Sequence, residues 1–149
     1  MQYFADAHLP VIDGAITVPT GGGSEAFVDA DDIAAVAAET LLAPTAPTAH
    51  YAPTGPQALT VAEVADSITA VTGRTVAHHD LDPEVWIESA IAAGLVPADY
   101  AVMMRWLTGA ISSGNGSTPN DDVEKVTGRP PTAFLDFARR NAHAWTADR

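Results

Sequence analysis

The segment from Leu59 to Leu81 constrains the fold most. Thr60 and Glu63 form a capping box: the threonine side chain takes an early helix amide while the glutamate reaches back to the threonine's own amide. Leu59 can staple to Val64, and Val61, Val64, Ala65, Ile68 and Val71 recur at helical spacing on one face. Gly73 stops the helix, because glycine accepts the left-handed conformation of a helix end at little cost. His50-Tyr51-Ala52 before it and Thr75 to Leu81 after it read as strands. Two strands joined through a helix of this length need a parallel crossover, so the chain is expected to be α/β.

The flanks fit that class. Residues 1–12 read as a short helix or its remnant. Ala15 to Val18 and Glu25 to Val28 are strand candidates, separated by Pro19-Thr20-Gly21-Gly22-Gly23-Ser24. From Asp32 the spacing turns helical through Ile33, Val36, Ala37, Thr40 and Leu41, with Asp31 or Asp32 as N-cap. Further helices are expected from Pro83 with Trp86, Ile87, Ala90 and Ile91, from Pro97 with Tyr100, Met103, Met104, Leu107 and Ile111, and from about Thr132. The expectation is one domain over 1–149 with a small, mainly parallel sheet of about three or four strands and flanking helices. Residues 1–82 form its βα part and 83–149 a helical C-terminal subdomain.

Charge narrows the partners. Seven Lys and Arg against 19 Asp and Glu leave a net charge of −12, which repels a phosphate backbone or anionic lipid, so neither nucleic acid nor membrane is an expected partner. The absence of cysteine excludes disulfides, thiolate nucleophiles and cysteine-held metals. No stretch reads as a signal peptide or a membrane span, and a cytoplasmic protein is the simplest expectation.

Phe27-Val28-Asp29-Ala30-Asp31-Asp32-Ile33-Ala34, then Gly55-Pro56-Gln57-Ala58-Leu59-Thr60, then Val71-Thr72-Gly73-Arg74 with its echo Val126-Thr127-Gly128-Arg129, resemble the C-terminal half of the NmrA-like proteins. These are atypical short-chain dehydrogenase/reductases, in which a first half binds the dinucleotide and a second half closes over the substrate. The resemblance implies a truncated Rossmann-like fold that starts where the cofactor half should already have ended. A dinucleotide site needs glycines at a strand-to-helix turn, and Gly21-Gly22-Gly23 is instead followed by a strand candidate. None of Tyr3, Tyr51 and Tyr100 has a lysine four residues on, and the one lysine is Lys125. The chain alone is therefore expected not to bind NAD or NADP, which would require a partner half.

The candidate site residues divide by chemistry. His78, Asp80 and Asp82 alternate along an extended segment near a strand's C-terminal end, where α/β sheets bind ligands, and a histidine beside carboxylates can act as acid or base. Asp29, Asp31 and Asp32 could serve as base or cation ligands but read more simply as helix caps, and no metal site is expected. His78, Asp80 and Asp29 are the catalytic candidates. For a small-molecule substrate, Trp86, Met103 and Trp106 sit where the family covers its substrate, and Tyr3 and Phe4 where the family chain passes the nicotinamide. The pocket is expected between Asp29 and His78 on one side and Trp86 and Trp106 on the other.

Three functions stay open: a reductase completed by a separately encoded nucleotide-binding chain; a cofactor-free cyclase, isomerase or dehydratase using His78 or an aspartate; and a regulatory module. An uncovered strand edge near Phe27 further implies a homo-oligomer or stable pairing with that second chain.

Overall fold

The computed structural model of the protein describes residues 1–6, 9–45, 48–94 and 97–146. Its strands are β1 (Ala15–Thr17), β2 (Ser24–Glu25), β3 (Leu59–Thr60) and β4 (Ala77–His79). Its helices are α1 (Ala30–Leu42), α2 (Val61–Thr72), α3 (Pro83–Ala92), α4 (Ala98–Ser112), α5 (Asp122–Thr127), α6 (Phe134–Arg140) and α7 (His143–Thr146), with a 3₁₀ turn over Gln2–Phe4. The architecture is α/β around a small parallel sheet, as the pattern of elements requires. Of the expected helix over 1–12 only that turn forms, and Ala7 and His8 lie outside the described residues.

Helix α2 is built as its sequence dictates. Thr60 accepts from Glu63 N–H, Glu63 accepts from Thr60 N–H at 2.8 Å, and Gly73 ends the helix at φ 69°. Its apolar face of Val61, Val64, Ala65 and Ile68 is buried and packs between the β1–β4 pair and α6. The core is one cluster, joining Phe4, Ile16, Val18, Ile68, Phe134, Phe137 and Trp145. The 83–149 segment thus divides: α6 and α7 complete this core, while α3 and α4 pack on each other.

The sheet is smaller than expected. β1 and β4 pair in parallel with Ile16 opposite His78, and β2 and β3 form a separate antiparallel pair. His50-Tyr51-Ala52 is not a strand. Side chains take its backbone instead: Ala52 N–H donates to Asp122 at 2.9 Å and Asn120 donates to the Ala52 carbonyl at 2.7 Å. Nor does the chain near Phe27 present a bare edge. Ala26 N–H donates to the Gly116 carbonyl at 2.9 Å and Gly55 N–H to the Ala26 carbonyl at 3.0 Å. The second contact needs glycine, since a Cβ at 55 would collide with the Phe27 carbonyl.

On β1 the hydrogen bonds decide which edge is open. Ala77 N–H donates to Gly14 and Val18 N–H to His79, so Gly14, Ile16 and Val18 turn their backbones toward β4, and Ala15 and Thr17 turn theirs to the outer edge. That edge is closed from within the chain. Ala15 exchanges two 2.9 Å bonds with Ile12, and the Thr17 carbonyl accepts from the Trp86 indole at 2.9 Å.

Glu25, on β2, lies with its carboxylate over Gly116. Burial pushes its pKa above the ordinary glutamate value. A raised folded pKa means stability that is fully present below the unfolded value and is lost as pH rises through the folded one. Glu25→Gln is therefore expected to raise the thermal midpoint at about pH 7 and to leave it unchanged near about pH 3, where the wild-type carboxyl is already neutral. Scanning calorimetry at the two pH values checks this.

Among the described residues no helix is long and apolar enough to cross a membrane.

Candidate functional site

Helical spacing and strand alternation converge on one cavity. Trp86, Ser89 and Ala90 on α3 and Ala93 at its C-cap fall at i, i+3, i+4 and i+7. On α4, Tyr100 and Met104 fall one turn apart, with Pro97 just before the helix. Ala15 and Thr17 share the opposite side on β1, and Leu9, Pro10, Ile12 and Leu81 complete the wall of a cavity of about 540 Å³. That volume suits a small organic ligand. Among the described residues its lining is almost wholly apolar; the side-chain polar groups are those of Thr17, Trp86, Ser89 and Tyr100. Trp86 spends its indole N–H on the Thr17 carbonyl, which fixes the ring as a wall.

The expected site is therefore only partly assembled. Trp86 lines the cavity; Asp29, His78 and Trp106 do not. Trp106 is 77 % exposed and belongs to a separate groove of about 660 Å³ between α3 and α4, with Ile87, Ile91 and Val102. Met103 is half exposed because it sits a helical step of about 100° from Met104 and turns out of the cavity. Phe4 is a core ring, edge-on to Phe27 at 5.1 Å and to Phe134 at 5.7 Å, while its neighbour Tyr3 is 45 % exposed.

The polar candidates are engaged structurally. Asp29, not Asp31 or Asp32, is the N-cap of α1: it accepts from Asp31 N–H at 3.2 Å and from Gln2 at 2.6 Å, and pairs with Arg140 on α6. Burial opposes its ionisation, but the Gln2 and Asp31 hydrogen bonds and the Arg140 guanidinium outweigh burial and hold its pKa below the ordinary aspartate value. Asp32 is buried; one oxygen accepts from Thr132 N–H at 2.6 Å and the other lies 3.2 Å from Arg129 in an ion pair. His78 Nε2 lies 2.8 Å from the Val18 carbonyl, so that nitrogen carries the proton. Asp80 lies past the end of β4 and accepts from Gly21 N–H at 2.8 Å, and Asp82 caps α3 through Glu84 and Val85 N–H. Among the described residues no group of His, Asp and Glu is arranged to hold a metal ion.

The strand-to-helix junctions speak to a dinucleotide. A diphosphate would sit on free amides at a helix N-terminus after a glycine turn. Here the starts of α1, α2 and α3 are taken by Asp29, by Thr60 with Glu63, and by Asp82. The Asp29 and Asp82 carboxylates and the Thr60 hydroxyl occupy those amides, and the carboxylates there, with that of Glu63, repel phosphate. Gly21-Gly22-Gly23 leads into β2, not into a helix. None of these three helix starts offers a diphosphate free amides after a glycine turn.

No family model matches the chain. The chain is 39 % identical over 135 residues to the uncharacterized oxidoreductase YesF of Bacillus subtilis, a match covering 91 % of this chain and 47 % of YesF. It superimposes on the triphenylmethane reductase of Citrobacter, solved in complex with NADP(H), with a TM-score of 0.76 and 28 % identity over 87 % of this chain and 44 % of the reductase. An NADPH-dependent quinone oxidoreductase of Escherichia coli gives a TM-score of 0.82 at 22 % identity, over 93 % of this chain and 50 % of that one, and shares the fold. Its relatives are oxidoreductases. The chain spans about half the length of the curated relatives it matches.

Tyr100, Ser89 and Thr17 were not singled out by sequence reasoning. The signal was available for the first two: 86, 89, 90, 93 and 97, 100, 104 are two stripes at helical spacing, and each carries one aromatic and few charges.

Proposed function

We propose that this chain is the substrate-handling C-terminal half of an NmrA-like short-chain dehydrogenase/reductase-type enzyme, and that NAD(P) is held by a separate nucleotide-binding polypeptide. The observation that carries the reading is the apolar cavity of about 540 Å³ along the outer edge of β1, in a chain whose helix N-termini at α1, α2 and α3 are blocked to phosphate by its own side chains. The relatives' reductase names and the match to half their length support it. The substrate class is a flat, apolar, conjugated organic compound: the lining offers aromatic and aliphatic surface with a few hydroxyls and no fixed charge. Bound NAD(P) would supply the hydride. This chain's part is to bind the acceptor, orient it and keep water from it, which the walls of α3 and α4 do by burial.

This reading is favoured over cofactor-free acid–base chemistry because His78 and Asp80 are tied to Val18 and Gly21 and neither lines the cavity.

Titration calorimetry with NADP(H), on the chain alone and mixed with the half of YesF that it does not match, tests the proposal. The chain alone is expected to give no heat of binding and the mixture to bind at one site. Micromolar binding by the chain alone would overturn the split assignment.

A further inference from the structure

Among the described residues the cavity presents one ionisable side chain, Tyr100 on α4. Its ring is half-buried in the wall with Met104 one turn on, and its hydroxyl has no hydrogen-bond partner among the described residues. The other aromatic in the wall, Trp86, has its only donor committed to the Thr17 carbonyl. Ser89 and Thr17 also bring hydroxyls to the wall, on shorter side chains that hold them close to the backbone. Tyrosine reaches further from the backbone than serine or threonine and holds its donor at the end of a rigid ring. A ligand that fills an apolar cavity while carrying an acceptor atom leaves that acceptor without a partner unless the wall supplies a donor, and an unpaired buried acceptor is penalised.

We propose that the Tyr100 hydroxyl is the hydrogen-bond donor that recognises a carbonyl-type or imine-type acceptor on a flat apolar ligand in this cavity, which makes Tyr100 a specificity-determining residue; this rests on the cavity being the substrate site. Trp86 provides the fixed aromatic wall and Tyr100 the polar end. The site therefore discriminates between two ligands of one shape by whether they carry an acceptor.

Menadione and 2-methylnaphthalene test it, since they share one frame and only menadione carries two carbonyls. The chain has no cysteine to which the quinone could add. Dissociation constants are measured by titration for wild type, Tyr100→Phe and Ala93→Trp, the last filling the cavity from the C-cap of α3. Wild type is expected to bind menadione about tenfold more tightly than 2-methylnaphthalene, and Tyr100→Phe to lose that preference while keeping its affinity for the hydrocarbon. A preference that persists in Tyr100→Phe overturns the role of Tyr100 and leaves the cavity as the site. Failure of wild type to bind either probe, or binding unaltered by Ala93→Trp, overturns the cavity assignment itself.

Discussion

Phe4→Ala is expected to cost about 3–5 kcal/mol of folding stability, the range for truncating a buried phenylalanine. Phe4 is 2 % exposed, meets Phe27 and Phe134 edge-on, and its carbonyl accepts the Trp145 indole at 2.7 Å. The alanine removes the ring that joins the N-terminal turn to α6, and the rigid neighbours cannot close the gap. Tyr3→Ala, one residue away and 45 % exposed, is expected to change stability by less than about 1 kcal/mol. Urea denaturation of the two variants separates the roles. Equal, small losses in both would remove Phe4 from the core and return it to the ligand-binding candidates.

Asp29→Ala should lower stability by about 2–4 kcal/mol, from a lost helix cap together with charge-assisted hydrogen bonds. One carboxylate joins three segments: the start of α1, the N-terminal turn through Gln2, and α6 through Arg140. The pH dependence follows from its lowered pKa. A carboxyl whose folded pKa lies below its unfolded one adds stability above the unfolded value, and loses it as pH falls through the folded one. The gap between wild type and Asp29→Asn is therefore expected to be full at neutral pH and to shrink as pH drops below about 4. A gap that stays constant down to about pH 2 would show that ionisation of Asp29 plays no part. Arg140→Ala should cost less than Asp29→Ala, because it leaves the helix cap and the Gln2 hydrogen bond of Asp29 in place.

The helices were largely legible in the sequence, down to individual caps at Thr60, Glu63 and Gly73, while the sheet and the site were legible only in part. A second strand was read at His50-Tyr51-Ala52, but Asn120 and Asp122 take that backbone from some seventy residues away. A pocket joining Trp86 to Trp106 was expected because the family resemblance places both where the substrate is covered. They open onto different grooves, because α3 and α4 pack on each other and leave a cleft on either side.

The division has one physical cause, the range over which the deciding interactions act. Sequence alone determined where α2 and α3 begin, that α2 buries a face, and that the chain is α/β, since caps, glycine stops and apolar spacing act within one to four residues. Tertiary structure alone decided the rest. Asp29 became a three-way tie because Arg140 lies 111 residues on, and the outer edge of β1 closed because Trp86, 69 residues from Thr17, swings its indole onto that carbonyl. The same contact joins α3 to β1 across the cavity that Ser89, Ala90 and Tyr100 also line.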